Sequence, residues 1–150
     1  MANKVRIEIC PQPFNPWSVL QEYEAQRAQA GKCGATACFI GTMRDYNAGD
    51  TVQQMWLEHY AGMTEHFLQQ LAIAVEQRWQ LLDSLILHRV GEIQCDQTIV
   101  LVATWAGHRS PALDACRYLI EELKQRAPFW KRETLNTGQQ RWVTQNTPRE

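Results

Sequence analysis

Four cationic side chains, a proline and two large aromatics share the stretch Leu123–Glu133, LKQRAPFWKRE. Lys124, Arg126, Lys131 and Arg132 surround Phe129-Trp130. A solvated charged face has no need of that aromatic step, whereas an anion-binding site beside a docking surface does. Lysines whose stems are covered lose their proton more readily and can act as acids or charge stabilisers. A second cationic group lies in WAGHRSPAL, where His108 and Arg109 lead into a helix beginning at Ser110 and Pro111. The free N–H groups and positive dipole end of that helix, with two basic side chains, suit phosphate or another anion. A third group is GTMRDYNAGD, with Arg44 at a strand end between Gly41 and Gly49. Alone, a loop rich in Gly, Asn and Asp reads as a turn.

Other chemistries lack their residues. Ser110 has no G-x-S-x-G surroundings and reads as a helix cap. There is no Walker A sequence, no dinucleotide fingerprint and no paired-carboxylate pattern. The five cysteines are odd in number and contain no C-x-x-C, and His59 and His66 do not form H-E-x-x-H, so neither metal nor cofactor is called for. A net charge of −1 gives no bulk attraction to nucleic acid or to a membrane surface, so any anion site must be local. The longest apolar run, Thr98–Gly107, has about half the length of a spanning helix. The opening MANKVRIEIC reads as a strand rather than a signal peptide, which points to the cytoplasm.

These groups need a frame, and 150 residues with 45% apolar content suffice for one domain, 1–150, with its own core. Lys4–Cys10 alternates as a half-buried strand. Asn15 and Pro16 open a first helix that closes on Gly31. GATACFIGTMR and TVQQMWLEHY read as strands, and GMTEHFLQQLAIAVEQRWQ as a second helix. DSLILHRVGEIQCDQTIVLVATWAG reads as two strands around a turn near Cys95-Asp96. In the third helix, Leu113, Cys116, Leu119, Ile120 and Leu123 share an arc, Lys124 falls just past its edge, and Pro128 stops it. FWKRETL and RWVTQ form a terminal hairpin with Gly138 in its turn. The order predicts an α+β fold, a mixed sheet with helices packed on it.

The motifs GTMRDYNAGD, LEHYAGMTE, HRVGEI, GHRSPALDACRYLIEELKQRAPFWKRE and RWV, in this order and spacing, resemble the catalytic (large) subunit of molybdopterin synthase from Pro11 to Trp142. The resemblance implies an α/β hammerhead fold and a homodimer within a heterotetramer. Each large subunit would bind a small ubiquitin-like sulfur carrier whose C-terminal Gly-Gly ends in a thiocarboxylate. Two sulfurs would pass to cyclic pyranopterin monophosphate to make molybdopterin. The site residues implied are Thr42, Met43, Arg44, His108, Arg109, Lys124, Lys131, Arg132 and Glu133, with Lys124 and Lys131 tied most closely to catalysis. Some members carry a lysine where this chain has Thr42.

Phosphate and thiocarboxylate are both anions, so bringing them together calls for fixed cations. A thiocarboxylate is itself nucleophilic, and no catalytic cysteine is required. Two other readings stay open on the residues alone: a scaffold whose lysines merely hold the carrier tail, and a phosphate-ester enzyme with His108 as general base.

Overall fold

A computed structural model describes residues 5–27 and 31–143 of the chain. Lys4, residues 28–30 and the tail 144–150 lie outside them; the first helix, expected to close on Gly31, already ends at Gln26, where Arg27 turns extended as its C-cap. The elements are β1 (Val5–Cys10), α1 (Pro16–Gln26), β2 (Ala35–Thr42), β3 (Tyr46–Asn47), β4 (Asp50–His59), α2 (Met63–Trp79), β5 (Asp83–Arg89), β6 (Gly91–Gln94), β7 (Thr98–Ala106), α3 (Arg109–Arg126), β8 (Phe129–Leu135) and β9 (Gln140–Val143). They form the expected α+β fold, with two sheets in place of one.

The first sheet has the order β1-β5-β7-β2, with β1 parallel to β5 and the other pairs antiparallel. Alternation along β5 and β7 sends side chains to two cores. Ile86, Val100 and Val102 join Leu68, Val75, Leu119 and Leu123 of α2 and α3. Leu85, Leu87, Leu101 and Trp105 join Tyr23 of α1 on the other face. Asn15 caps α1 through its side-chain oxygen, which accepts from the N–H groups of Trp17 at 3.0 Å and Ser18 at 3.2 Å.

In the second sheet β4 is central. It pairs with β8 along one edge and with β3 and β6 along the other, and β9 extends β8. Its inward residues Val52, Met55 and Leu57 share the α2/α3 core, so the two sheets are packed around one apolar centre.

Three further expectations change. The stretch 83–106 makes three strands: at Gly91 (φ +83°) the chain leaves the first sheet, and β6 pairs with β4 of the second. That left-handed angle suits glycine, and an apolar pattern cannot reveal a change of sheet. The third helix starts at Arg109 with His108 as N-cap, not at Ser110. Pro111 then sits within the first turn, where its missing N–H has no intrahelical acceptor in any case, so proline does not fix the first residue. Finally, Leu113 is 59% exposed, and the buried arc is Ala112, Ala115, Cys116, Leu119, Ile120 and Leu123. The terminal hairpin forms as expected, with Gly138 at φ +87° in its turn.

Candidate functional site

α3 ends beside the second sheet, and the gap between them is a cleft of about 460 Å³. Lys124 reaches it from the last turn of α3 and Lys131 from β8, across an apolar floor that includes Met55, Leu57 and Ile99. Leu123, next to Lys124, is buried at 2% exposure, which holds the Lys124 stem at the core boundary. Burial, and then the charge of Lys131, push the Lys124 pKa down to about 8. Burial also lowers that of Lys131, with Arg44 acting in the same direction and Glu133 opposing. The two ammonium groups thus come from different elements, share one cleft and feel each other.

The aromatic step holds the β8 end of the cleft. Pro128 is followed by Phe129, whose ring stacks on His88 with centroids 3.9 Å apart and planes 15° from parallel. Trp130 meets Tyr60 edge-on at 4.4 Å. Lys131 pairs across the ladder with Leu57 and Val143, and Arg132 with Trp56 and Trp142 on the alternate register. The Arg132 guanidinium lies 5.7 Å from the centre of the Trp142 ring.

Glu133 is a clamp. It is 2% exposed, and its carboxylate accepts hydrogen bonds from Asn47 Nδ2 (3.1 and 3.0 Å) and Arg141 Nε (3.2 Å). Arg141 also donates to Asp50 at 2.7 Å and to the Asn47 carbonyl at 2.9 Å. The loop between β2 and β4 is therefore tied to β8 and β9, and Arg44 is held on the Lys131 side of the molecule. The Arg44 guanidinium lies 4.6 Å from the centre of the Tyr46 ring. Met43, 1% exposed, anchors the same loop in the core, while Thr42 is exposed beside a second hollow of about 340 Å³ lined in part by Arg44 and Asp96.

His108 and Arg109 do not join this cluster within one chain. They are exposed at the N-terminal end of α3, and Lys124 lies fifteen residues further along it, about 22 Å at 1.5 Å per residue. Residue types mark both groups in the sequence but do not show the helix axis between them. Residue types gave no sign of the parts played by His88, Asn47 and Arg141. His88 stood in a quoted motif, HRVGEI, but a histidine in an apolar strand reads as core until its neighbours are known.

The model of the MoaE protein family matches residues 11–126. The molybdopterin synthase catalytic subunit of Ralstonia nicotianae is 49% identical over 122 residues, 81% of this chain and 69% of that one. The structure of the molybdopterin biosynthesis MoaE protein from Burkholderia ambifaria aligns with a TM-score of 0.75 and 43% identity over 93% of this chain and 88% of that one. A chain from the Helicobacter pylori complex of subunits 1 and 2 of molybdopterin-converting factor has the same fold, with a TM-score of 0.76 at 20% identity over 92% of this chain and 90% of that one. With most of its length matched by the family and by close relatives, the chain belongs to the MoaE protein family.

Proposed function

We propose that this protein is the catalytic subunit of a molybdopterin synthase, a sulfurtransferase that works with a small ubiquitin-like carrier. The observation that carries the reading is the convergence of Lys124 and Lys131, both with lowered pKa values, on one cleft between α3 and β8. The carrier's Gly-Gly tail enters there and its thiocarboxylate lies against the ammonium groups. Its sulfur attacks cyclic pyranopterin monophosphate. Net, each transfer exchanges a C–O bond of the pterin side chain for a C–S bond, the displaced oxygen leaving on the phosphate or as water, and water takes the place of sulfur on the tail's carbonyl carbon to give a carboxylate. Two transfers give the dithiolene. Lys131 holds the anion and offsets its charge, while Lys124, with a pKa of about 8, exchanges a proton near neutral pH.

Arg44, His108 and Arg109 serve the phosphate and pterin side. Because the His108-Arg109 pair stands about 22 Å from Lys124 along α3, one chain does not complete the site. A homodimer in which each subunit lends this pair to the other's cleft, with one carrier per subunit, accounts for both groups. The placement is cytoplasmic, and no helix among the described residues is long and apolar enough to cross a membrane.

Single-turnover assay with thiocarboxylated carrier and the pterin precursor tests the reading. Dithiolene forms, and none forms when the carrier is omitted. Carrier binding without product leaves a scaffold, and phosphate release an esterase. Mixing Lys124→Ala with Arg109→Ala subunits restores part of the activity that each lacks, because one mixed site keeps both groups. Mixtures that stay as inactive as their parts refute the shared site.

A further inference from the structure

His88 forms part of the cleft wall, yet the reaction described so far makes no use of it. It stands near the end of β5, 2% exposed, with its ring packed face to face on Phe129. Its Nδ1 lies 2.8 Å from the Arg89 carbonyl oxygen. A carbonyl only accepts, so Nδ1 carries the ring's proton, and Nε2 of the neutral ring is a bare acceptor. Burial first, then the charge of Lys124, hold the His88 pKa down to about 3, so this tautomer persists throughout the physiological range. Among the described residues the His88 ring makes only the Nδ1 hydrogen bond, and Nε2 is not one of the fully buried unpaired atoms, which leaves it open toward the cleft. An acceptor on the wall of a cleft, with no donor among the described residues, is placed to take a donor from the ligand.

The charges around it narrow the kind of donor. Lys124 on α3, His59 on β4 and Lys131 on β8 face this region, with Arg44 and Glu133 beyond Lys131. An anion lying between the lysines that also carries a neutral N–H close by fits both features. In a peptide C-terminus the last amide nitrogen and the terminal carbon share one Cα, which puts them about 2.5 Å apart. A carboxylate acceptor in place of His88 would pair with the lysines and repel the tail. A neutral imidazole offers a lone pair and does neither.

We propose that His88 Nε2 accepts a hydrogen bond from the terminal peptide N–H of the carrier tail, so that the cleft reads the last glycine by its amide as well as by its charge. The inference rests on the carrier reading above. It makes His88 a specificity residue that touches the sulfur donor.

The test removes the same hydrogen bond from each side. The carrier is prepared with a Gly-Gly carboxylate end and, by peptide ligation, with N-methylglycine as the last residue. Both forms are titrated by calorimetry into the full-length parent, His88→Asn and His88→Gln. The asparagine amide still donates to the Arg89 carbonyl but leaves nothing at Nε2, whereas glutamine brings an oxygen to that place. Both variants lose the ring stack alike. Methylation weakens binding to the parent about tenfold, within the range for a buried acceptor left unpaired. It weakens binding to His88→Asn less than about threefold, and His88→Gln recovers the parent ratio. Affinity for the pterin precursor is the same in all three. The inference is overturned if methylation leaves the parent unchanged, a measurement that leaves the fold untouched. It is also overturned if parent and His88→Asn show the same ratio, or if only precursor binding falls. Lys124→Met and Lys131→Ala separate the two levels. If neither weakens carrier binding, the cleft is not the tail site and the functional reading falls with the inference. If both weaken it while the methylation ratios stay equal, only the His88 contact is wrong.

Discussion

Replacing Lys124 by methionine is expected to make the protein more stable and almost inactive. Methionine keeps an unbranched stem of similar reach against Leu123 and the cleft floor but removes the ammonium. Burial and Lys131 lower the Lys124 pKa from 10.5 to about 8. At about 1.36 kcal/mol per pH unit, the folded state at pH 7 then carries roughly 3 kcal/mol of unfavourable free energy at this one group. The sign follows from proton binding. Between pH 8 and pH 10.5 the unfolded chain holds more protons at Lys124 than the folded one, so the parent gains stability as pH rises through that window. Urea denaturation at pH 7 is therefore expected to show Lys124→Met more stable than the parent, by up to about 3 kcal/mol. The gap narrows through pH 9 and closes near pH 10.5. Single-turnover dithiolene formation falls at least about a hundredfold, as for a lost acid–base or electrostatic group. A variant no more stable than the parent at pH 7, or a gap independent of pH, refutes the claim that this ammonium is held against its own solvation. A stable variant with parental turnover refutes its role in the reaction.

Lys131→Ala is expected to lower turnover by about a hundredfold or more and to move the Lys124 titration to higher pH, because a like charge has gone; rate profiles against pH check both. Arg109→Ala weakens precursor binding by on the order of tenfold to a hundredfold and leaves carrier affinity unchanged, as calorimetry with each ligand will show. Glu133→Ala opens the Asn47–Arg141 clamp, lowers stability in urea by about 1–3 kcal/mol, and raises the KM for precursor more than it lowers carrier affinity, because the loop bearing Arg44 loses its tie to β8.

Local rules carried much of the frame, and they stopped where partners distant in sequence decide the outcome. Asn15-Pro16 announced α1, and Gly138 announced the last turn, because caps and turns are settled within a few residues. The cationic groups were legible by residue type, and the placement of Lys124 beside Leu123 followed from helical spacing. The break at Gly91 was not legible, since only pairing with β4 makes β6 a strand of the other sheet. Glu133 read as one more charge in KRE. Its burial depends on Asn47 and Arg141, which lie 86 residues before it and 8 after it. Nothing in the sequence singled out His88, which is packed on every side but the one that borders the cleft.

In the proposed reaction, the choice of lysine over arginine at the cleft follows from what the two anions require. Two unit negative charges about 4 Å apart repel by about 4 kcal/mol at an effective dielectric of 20. Fixed cations must offset this before sulfur and pterin can meet. Arginine would do so permanently, but it cannot give up a proton near neutral pH. Lysine can, if it is desolvated and set against a second cation. The fold meets both conditions by bringing α3 to the edge of its apolar face at Lys124 and sending β8 back past it with Lys131. The same burial that makes the Lys124 ammonium unfavourable in the folded state brings its pKa to about 8, the range that the proposed proton exchange calls for. In the proposed reaction, stability given up at this residue and reactivity gained there are one physical effect, and a substitution that restores the first is expected to remove the second.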